Sequence, residues 1–316
     1  MKHSVFFNDA ENHWDNALPL GNGVMGAMLY FEGGALHMPL NHYEVYYTIN
    51  DSVLPSDREK EDLEILKNAH RIGASDCTYG KKQTEMRAKA DGNIPRGDEP
   101  FCEYRITREM ATDEKRYSIM PFSGSYPATG EISLGFSPRL DGARHSLVLS
   151  VEEAVVSLTL EKEDDRVTAE TRVLREDCVI TELAATSGEL IRSLSVSFAP
   201  CRDQDAPVVA FRMADERTLV YTVTRPLPPS GKPFAFSGVV RLLGARASLS
   251  CNEYEATLSF TECEERLTVL TGVFTDWRYS DTAVEGLFRL ADWEGRLDAM
   301  KAEHALYWRG FFEKAS

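Results

Sequence analysis

The sequence predicts a mainly β protein: a large antiparallel β-sandwich of the super-sandwich kind, with a short helix near residues 57–74 and a helix at the C-terminal end. About a dozen segments after residue 131 alternate apolar with polar residues, are rich in Val, Ile, Leu, Phe and Thr, and are separated by short turn signals. No helical period interrupts them before about residue 281. Strands in such a series form antiparallel sheets, and two stacked sheets each bury the apolar face that the alternation provides.

The composition is that of a folded globular protein. Of the 316 residues, 43% are hydrophobic and 27% are charged, so the chain can bury a substantial core. The formal net charge of -15 would repel phosphate backbones and anionic lipid surfaces, so we expect no nucleic-acid partner and no membrane. The first 14 residues contain no apolar leader-like run, which favours a cytoplasmic protein.

The cysteines give no sign of a metal site or of a disulfide framework. None belongs to a C-x-x-C pair or has a histidine at zinc-ligand spacing. Several lie in strand-like runs, where cysteine acts as a small apolar residue. We therefore expect no bound metal and no cofactor.

The N-terminal segment contains the glycine pattern "LGNGVMG", residues 20–26, which has the G-x-G-x-x-G spacing of dinucleotide-binding loops. A phosphate cradle requires a buried strand before the glycines and a helix after them. Pro19 removes a backbone donor from the preceding strand, and the helix would be broken at Gly33-Gly34 after about one and a half turns. The pattern instead predicts two short strands around a Gly-Gly turn and no nucleotide.

Residues 57–130 differ from the strand series and are predicted to be an insertion. Residues 57–74 combine Leu63, Leu66 and His70 with many charged residues, an amphipathic pattern that predicts one helix ending near Gly73. The remainder is polar and contains several glycines and prolines, which predicts a long loop that orders against a partner surface.

The final segment, residues 281–316, returns to a helical period. Its apolar residues recur every three or four positions: Trp293, Leu297, Met300, His304, Trp308 and Phe311. One interpretation is that this stripe packs on the sandwich, since aromatic stripes at helical spacing are usually core. The other is a linker helix that leads from a sandwich domain, residues 1–280, into a further domain.

A family resemblance starts with the segment "WDNALPLGNGVMGAML", residues 14–29, and continues in "LHMPLNHYEVYYT". Together these resemble the N-terminal domain of glycoside hydrolase family 95, the α-L-fucosidase family, and the family 65 N-terminal-like domains of related glycosidases. The segments "PATGEISLGF", "TRVLREDCVITELAA" and "EHALYWRGFFEKAS" extend the resemblance over nearly the whole chain. Only the first segment is specific.

The resemblance implies a domain that supports catalysis without performing it. In that family an (α/α)6 barrel after the linker helix carries a Glu general acid and an Asp that activates water for inverting hydrolysis, which needs two carboxyls roughly 6.5 to 9.5 Å apart. No recognisable motif in this chain supplies such a pair, so no catalytic residue is assigned. The expected partners are carbohydrate and, in a longer protein, the barrel.

The resemblance also indicates candidate site residues. Asn41 matches the family's asparagine, whereas His42 and Tyr43 stand where acidic residues are usual and Tyr46 stands where a tryptophan is usual. Asn41, His42 and Tyr46 are the candidate sugar-contacting residues, through hydrogen bonds to hydroxyls and stacking on a ring. The residues expected at the junction with the next domain are Trp14, Asn22, His304, Trp308 and Phe311.

Three functions remain open at this point. The chain is a non-catalytic domain of a family-95-like glycosidase, a free-standing carbohydrate-binding sandwich, or the N-terminal domain of a disaccharide phosphorylase-like enzyme. The second alternative depends on strand and loop aromatics, which include Tyr47, Trp277 and Tyr279. A sandwich fold by itself does not decide between them.

Overall fold

The computed structural model describes residues 4–8, 14–45, 47–48, 124–125, 129–198, 208–225 and 234–315. The chain divides into two compact units: one comprises residues 1–46, 126–227 and 232–316, and the other comprises residues 47–125 and 228–231. The second unit is described only for two short strands, which pair antiparallel. The predicted helix near residues 57–74 lies outside the described residues, and so does the loop after it apart from residues 124–125 and 129–130.

The first unit is mainly β with a large antiparallel sheet and a C-terminal helix, which confirms the predicted fold class. The helix α1 (Thr282–Ala315) belongs to the same unit as the strands. Numbered along the whole chain, with β5 and β6 in the second unit, the strands are β1 (Ser4–Asn8), β2 (Leu18–Gly21), β3 (Met25–Glu32), β4 (Ala35–His42), β5 (Tyr47–Thr48), β6 (Gly124–Ser125), β7 (Gly130–Phe136), β8 (Arg144–Ser150), β9 (Val155–Lys162), β10 (Asp165–Val173), β11 (Cys178–Ala185), β12 (Ile191–Ser197), β13 (Val208–Asp215), β14 (Thr218–Arg225), β15 (Phe234–Cys251) and β16 (Glu255–Thr275).

The long strand β16 joins the two layers of the sandwich. Its residues 255–259 pair with β12, and its residues 266–272 pair with β11. Strands β12, β7, β4, β3 and β2 therefore continue one layer, and β11, β10, β9, β8 and β1 continue the other. Strand β15 follows β16 along nearly its whole length, and β14 and β13 extend the sheet from β15.

Four separate strand-like segments of the sequence, "FAFSGVVRL", "RASLSC", "YEATLSF" and "RLTVLTGVF", predict four strands, whereas the first two join in β15 and the last two join in β16. The pairing of β15 with β16 shifts register on both sides of Gly244–Arg246. Gly244 has φ +100, and a Cβ atom there would lie 2.2 Å from the carbonyl oxygen of Arg266. A glycine bulge thus lets the pair bend from one layer to the other without ending, because bulges kink strands and increase their twist.

The main core lies between the layers. One buried cluster contains Leu36 and Ile132 from the first layer and Leu158 and Val167 from the second. Strands β9 and β10 contact β2 and β3 across it. This is the burial that alternating apolar residues require.

Helix α1 covers the outer face of the second layer. A separate buried cluster joins Trp293 and Met300 of α1 to Ile180 of β11 and Leu270 of β16. The Asp281 carboxylate accepts a hydrogen bond from the backbone N–H of Val284 (3.0 Å) and so caps the helix start. The apolar stripe of α1 therefore packs on the sandwich over the first two thirds of the helix.

Candidate functional site

The turn between β2 and β3 is organised by the side chain of Asn22. Its Oδ1 accepts hydrogen bonds from the N–H groups of Val24 and Met25, both at 2.8 Å. Its Nδ2 donates to the carbonyl oxygen of Leu174 (2.6 Å) and to Oδ1 of Asp177 (3.1 Å). The glycine segment therefore forms a hairpin turn tied to the β10–β11 turn, and it forms no phosphate cradle.

Only part of the glycine pattern is required by the backbone. Gly23 has φ +89, a conformation that glycine adopts without strain. A Cβ atom on Gly21 would lie 3.2 Å from the carbonyl oxygen of Met25, which is a tight approach, whereas Gly26 has ordinary room. The G-x-G-x-x-G spacing therefore arises from a close hairpin.

Asp177 occupies a strained and partly buried position in the β10–β11 turn. Its φ of +58 lies in the left-handed region that non-glycine residues seldom adopt. Burial raises the pKa of the Asp177 carboxyl above its usual value, and the hydrogen bond from Asn22 offsets this only in part. Strained residues and carboxyls with raised pKa values are common at functional sites, which makes this turn a candidate.

A second set of contacts ties the turn after β4 to the turn before α1. Glu44 accepts a hydrogen bond from the hydroxyl of Thr275 (2.6 Å), and its other oxygen accepts from the Arg278 guanidinium and from the Tyr43 hydroxyl (3.0 Å for Tyr43). Nη2 of Arg278 also donates to the Tyr43 hydroxyl (2.8 Å). Burial alone would raise the pKa of Glu44, but these donors outweigh it and hold the pKa below its usual value.

These two sets form one cluster, which we call the loop-end cluster: Asn22, Tyr43, Glu44, Asp177, Thr275 and Arg278. The backbone N–H of Tyr43 donates to the carbonyl oxygen of Val24 in the Asn22 turn (2.8 Å), so the four turns meet at one end of the sandwich. Tyr43 is 47% exposed and Trp277, next to Arg278, is 71% exposed. The cluster thus presents aromatic rings on a charged, hydrogen-bonded base, a combination found in sites that contact sugars.

Asn41 and His42, two of the three predicted sugar-contacting residues, directly precede Tyr43 of this cluster. Asn41 is exposed at the end of β4, where it pairs with Gly26. His42 is only 4% exposed, and its Nδ1 accepts a hydrogen bond from the N–H of Glu44 (3.3 Å). Burial lowers the pKa of His42. Tyr46 lies outside the described residues, and sugar contact by all three stays a prediction.

The predicted junction residues fall into two groups. Trp14 and Phe311 are 61% and 52% exposed, and Trp308 is half-buried. His304 is buried, and its Nε2 lies 3.0 Å from the carbonyl oxygen of Glu153 in the β8–β9 turn. Asn22 and His304 therefore hold turns in place, and a role of all five in a domain junction stays a prediction.

Most of the loop-end cluster has no signal in the sequence. Glu44 lies within the family-like segment "LHMPLNHYEVYYT", which is a local signal for its position. Asp177, Thr275 and Arg278 come from turns that are far apart in the sequence, and no spacing connects them. Only the pairing of the strands brings these residues together.

A separate polar cluster lies on the outer face of the first layer. Nδ1 of His37 is 2.7 Å from the Glu131 carboxylate and 3.0 Å from the Ser133 hydroxyl. The hydrogen bond with His37 lowers the pKa of Glu131, and burial raises the pKa of Tyr30, which donates to Glu131, to about 12. Because Ser133 and Glu131 contact the same nitrogen, His37 is not arranged to relay a proton between them as in a catalytic triad.

Two further properties bear on function. Among the residues with described positions, no group of three or more His, Cys, Asp or Glu side chains is arranged to hold a metal ion. Within the same parts of the chain, no helix is both long enough and apolar enough to span a membrane.

Comparison with known proteins finds similarity at the level of solved structures. No protein-family model matches the chain, and no curated protein matches it. One solved structure, described as "Putative kojibiose phosphorylase from human microbiome", has a TM-score of 0.46 and 11% identity, covering 98% of this chain and 37% of that one. A family GH92 alpha-mannosidase from Bacteroides thetaiotaomicron has a TM-score of 0.27 and 13% identity, covering 56% of this chain and 25% of that one. This chain spans less than half the length of either protein.

Proposed function

We propose that this chain is the non-catalytic β-sandwich domain of a cytoplasmic glycoside hydrolase, similar to α-L-fucosidases or α-galactosidases and inverting, and that it supports a catalytic (α/α)6 barrel. The observation that carries the proposal is the segment Trp14–Leu29. This segment resembles the start of the family 95 domain, and it forms the hairpin whose Asn22 turn belongs to the loop-end cluster. The family-like segment therefore contributes Asn22 to the loop-end cluster.

The exposed end of α1 supports a neighbouring domain. Leu306, Tyr307 and Phe311 are 70%, 45% and 52% exposed, although the earlier part of the helix is packed on the sheet. Contiguous exposed aromatic surface is characteristic of sites that another protein surface covers. In this proposal Trp14, Trp308 and Phe311 contact the barrel, and Asn22 and His304 hold the turns from which the contact surface is built.

The sugar would be contacted from the end of β4. Asn41 would donate and accept hydrogen bonds with hydroxyl groups, and Tyr46 would stack on a ring face. His42 would act from its buried position by fixing the turn that carries Tyr43 and Glu44.

The proposal is tested by measuring hydrolysis of aryl α-L-fucosides and α-galactosides by this chain and by the full native gene product. We expect the folded chain to give no turnover and the longer product to release a sugar of inverted anomeric configuration, observed by NMR. Robust turnover by this chain alone would overturn the proposal. A requirement for inorganic phosphate in the longer product would favour the phosphorylase-like alternative.

A second candidate function is a free-standing carbohydrate-binding sandwich. The exposed rings of Tyr43, in the loop-end cluster, and of Trp277, next to Arg278 in the sequence, favour it. A glycan array probed with this chain and with its Trp277→Ala variant tests this function. Binding that the substitution removes would support it, and a blank array with a demonstrably folded chain would exclude it.

A further inference from the structure

The strand that changes layers leaves a pocket beside it. Strand β16 is paired with β12 up to Ser259 and with β11 from Arg266 onward, so residues 260–265 have no strand partner on that side. A short 3-10 turn, Gly188–Leu190, approaches this gap so closely that a Cβ atom on Gly188 would lie 1.9 Å from the carbonyl oxygen of Cys263. The cavity beside this turn measures about 650 Å³. That volume lies within the range of small-molecule sites, about 300 to 1,000 Å³.

A β-bulge directs one arginine toward this pocket. Pairing between β12 and β7 shifts register between Ile191 and Ser193, which leaves Arg192 as the extra residue. Arg192 lines the cavity and is exposed. Within the parts of the chain that the structure describes, its guanidinium has no hydrogen-bond or ion-pair partner. Bulges commonly redirect a side chain next to a binding site.

A second arginine is fixed at the pocket wall. Nη2 of Arg139 lies 2.6 Å from the Asp165 carboxylate, and its Nη1 lies 3.8 Å from Glu189, whose side chain is 84% exposed. Arg139 and Glu189 both line the cavity, whereas Asp165 does not. The lining therefore carries two guanidinium groups and one carboxylate, that of Glu189. This excess of positive charge contrasts with the net charge of -15 of the whole chain.

The rest of the lining offers apolar and neutral groups. Phe260 is partly buried against the main core and presents an aromatic surface, and Ile191 is buried beside it. Burial raises the pKa of the Cys263 thiol to about 11, so this group adds no negative charge at neutral pH. The pocket thus combines a cation that has no partner among the described residues with a surface that a ring can contact.

We propose that this pocket binds a small organic anion, a phosphate or carboxylate carried on a ring of monosaccharide size, with the anion held by Arg192 and the ring placed against Phe260. Arginine suits this role because its planar guanidinium donates two parallel hydrogen bonds to either anion. The inference is independent of the proposed function, since none of the pocket residues belongs to the loop-end cluster or to the proposed domain junction.

Calorimetric titration of this chain with glucose 6-phosphate, glucuronate, glucose and inorganic phosphate tests the inference. We expect one-to-one binding of at least one sugar anion, and no measurable binding of glucose. Which anion binds distinguishes a phosphate ligand from a carboxylate ligand. Arg192→Ala should weaken that binding about tenfold or more, because a hydrogen bond to a charged group contributes roughly 1.5–3 kcal/mol.

The matched control is Arg212→Ala, which removes an exposed arginine from β13, outside the pocket. This variant should bind like the unchanged chain. Because Arg192 is exposed and has no ion pair within the described parts of the chain, Arg192→Ala should also melt at an unchanged temperature, which separates lost binding from lost folding. The proposal is overturned if no sugar anion binds, if inorganic phosphate alone binds, or if Arg192→Ala and Arg212→Ala bind equally.

Discussion

The indole ring of Trp293 lies directly over Gly272: a Cβ atom on this glycine would be 2.5 Å from the ring. Trp293 belongs to α1 and is 1% exposed, and Gly272 belongs to the part of β16 that pairs with β11. The absence of a side chain at residue 272 thus lets the helix approach the sheet closely enough to bury a tryptophan. This contact is the centre of the cluster that holds α1 on the sandwich.

Gly272→Ala should destabilise the protein by about 1–3 kcal/mol, since the added methyl overpacks a site that has no free space. Trp293→Ala should cost about 3–5 kcal/mol, because it leaves a large cavity. Urea unfolding measures both values.

Gly295→Ala is the matched control, since a Cβ atom there meets nothing within 4 Å. It should stabilise the helix by up to about 1 kcal/mol, and an equal loss in both glycine variants would contradict the contact.

The hydrogen bonds from Asn22 to the β10–β11 turn predict that replacing Asn22 costs more stability than replacing Asn252, which forms a similar turn. Asn252 forms the same local turn, with its Oδ1 accepting from the N–H groups of Tyr254 (2.9 Å) and Glu255 (2.8 Å). Asn22 adds the hydrogen bonds to Leu174 and Asp177. Asn22→Ala should therefore cost roughly 1 kcal/mol or more beyond Asn252→Ala in unfolding free energy. Equal costs would mean that the long-range bonds contribute nothing.

The raised pKa of Asp177 predicts that replacing this residue with a neutral one stabilises the folded chain by an amount that depends on pH. The folded state raises the pKa of its carboxyl through burial, so the folded chain binds this proton more tightly than the unfolded chain. The contribution of Asp177 to stability is therefore fully present below the unfolded pKa, near 3.9, and is lost as pH rises through the folded pKa. Asp177→Asn keeps an acceptor for Asn22 and, like aspartate, tolerates φ +58. It should stabilise the chain at pH 7, with a gain that shrinks on acidification.

Unfolding free energies of Asp177→Asn and the unchanged chain, measured between pH 4 and pH 8, test this expectation. Glu176→Gln is the neighbouring control, since it removes the adjacent carboxylate, whereas Nδ2 of Asn22 donates to Leu174 and Asp177. If the difference between Asp177→Asn and the unchanged chain stays constant with pH, the fold does not raise the pKa of this carboxyl.

His304 predicts the opposite pH dependence. Burial is the main cause that lowers the pKa of His304 in the folded state, although its hydrogen bond with Glu153 opposes it. The unfolded chain then binds this proton first, so stability falls as pH drops below about 6.5, the ordinary histidine pKa, until the folded pKa is reached. His304→Gln should give a shallower loss of stability between pH 7 and pH 5. An unchanged slope would show that this histidine does not contribute, and His42, which burial also affects, would be tested next in the same way.

The strand series was predictable because the alternation of apolar and polar residues within each strand indicates which of its faces is buried. The hairpin around Gly33-Gly34 was predictable for the same reason, since its turn chemistry is local. The continuous strands β15 and β16 were not, because their bend depends on the register between Gly244 and Arg266. The loop-end cluster was not predictable either. Asn22 and Asp177 are 155 residues apart in the sequence, and their contact depends on the order of the strands in the whole sheet.

The exposed end of α1 gives the sharpest test of the proposed domain junction. Phe311 is 52% exposed, so Phe311→Ala should leave the unfolding free energy of this chain within about 0.5 kcal/mol of the original. In the full native gene product the same substitution should lower the thermal stability or the activity, because the ring would then be buried against the barrel. Arg309→Ala, on the same exposed turn, is the control for charge and helix position. If Phe311→Ala leaves the longer product unchanged while Trp293→Ala destabilises it, the helix end is not part of a domain junction, and the aromatic residues there contact no second domain.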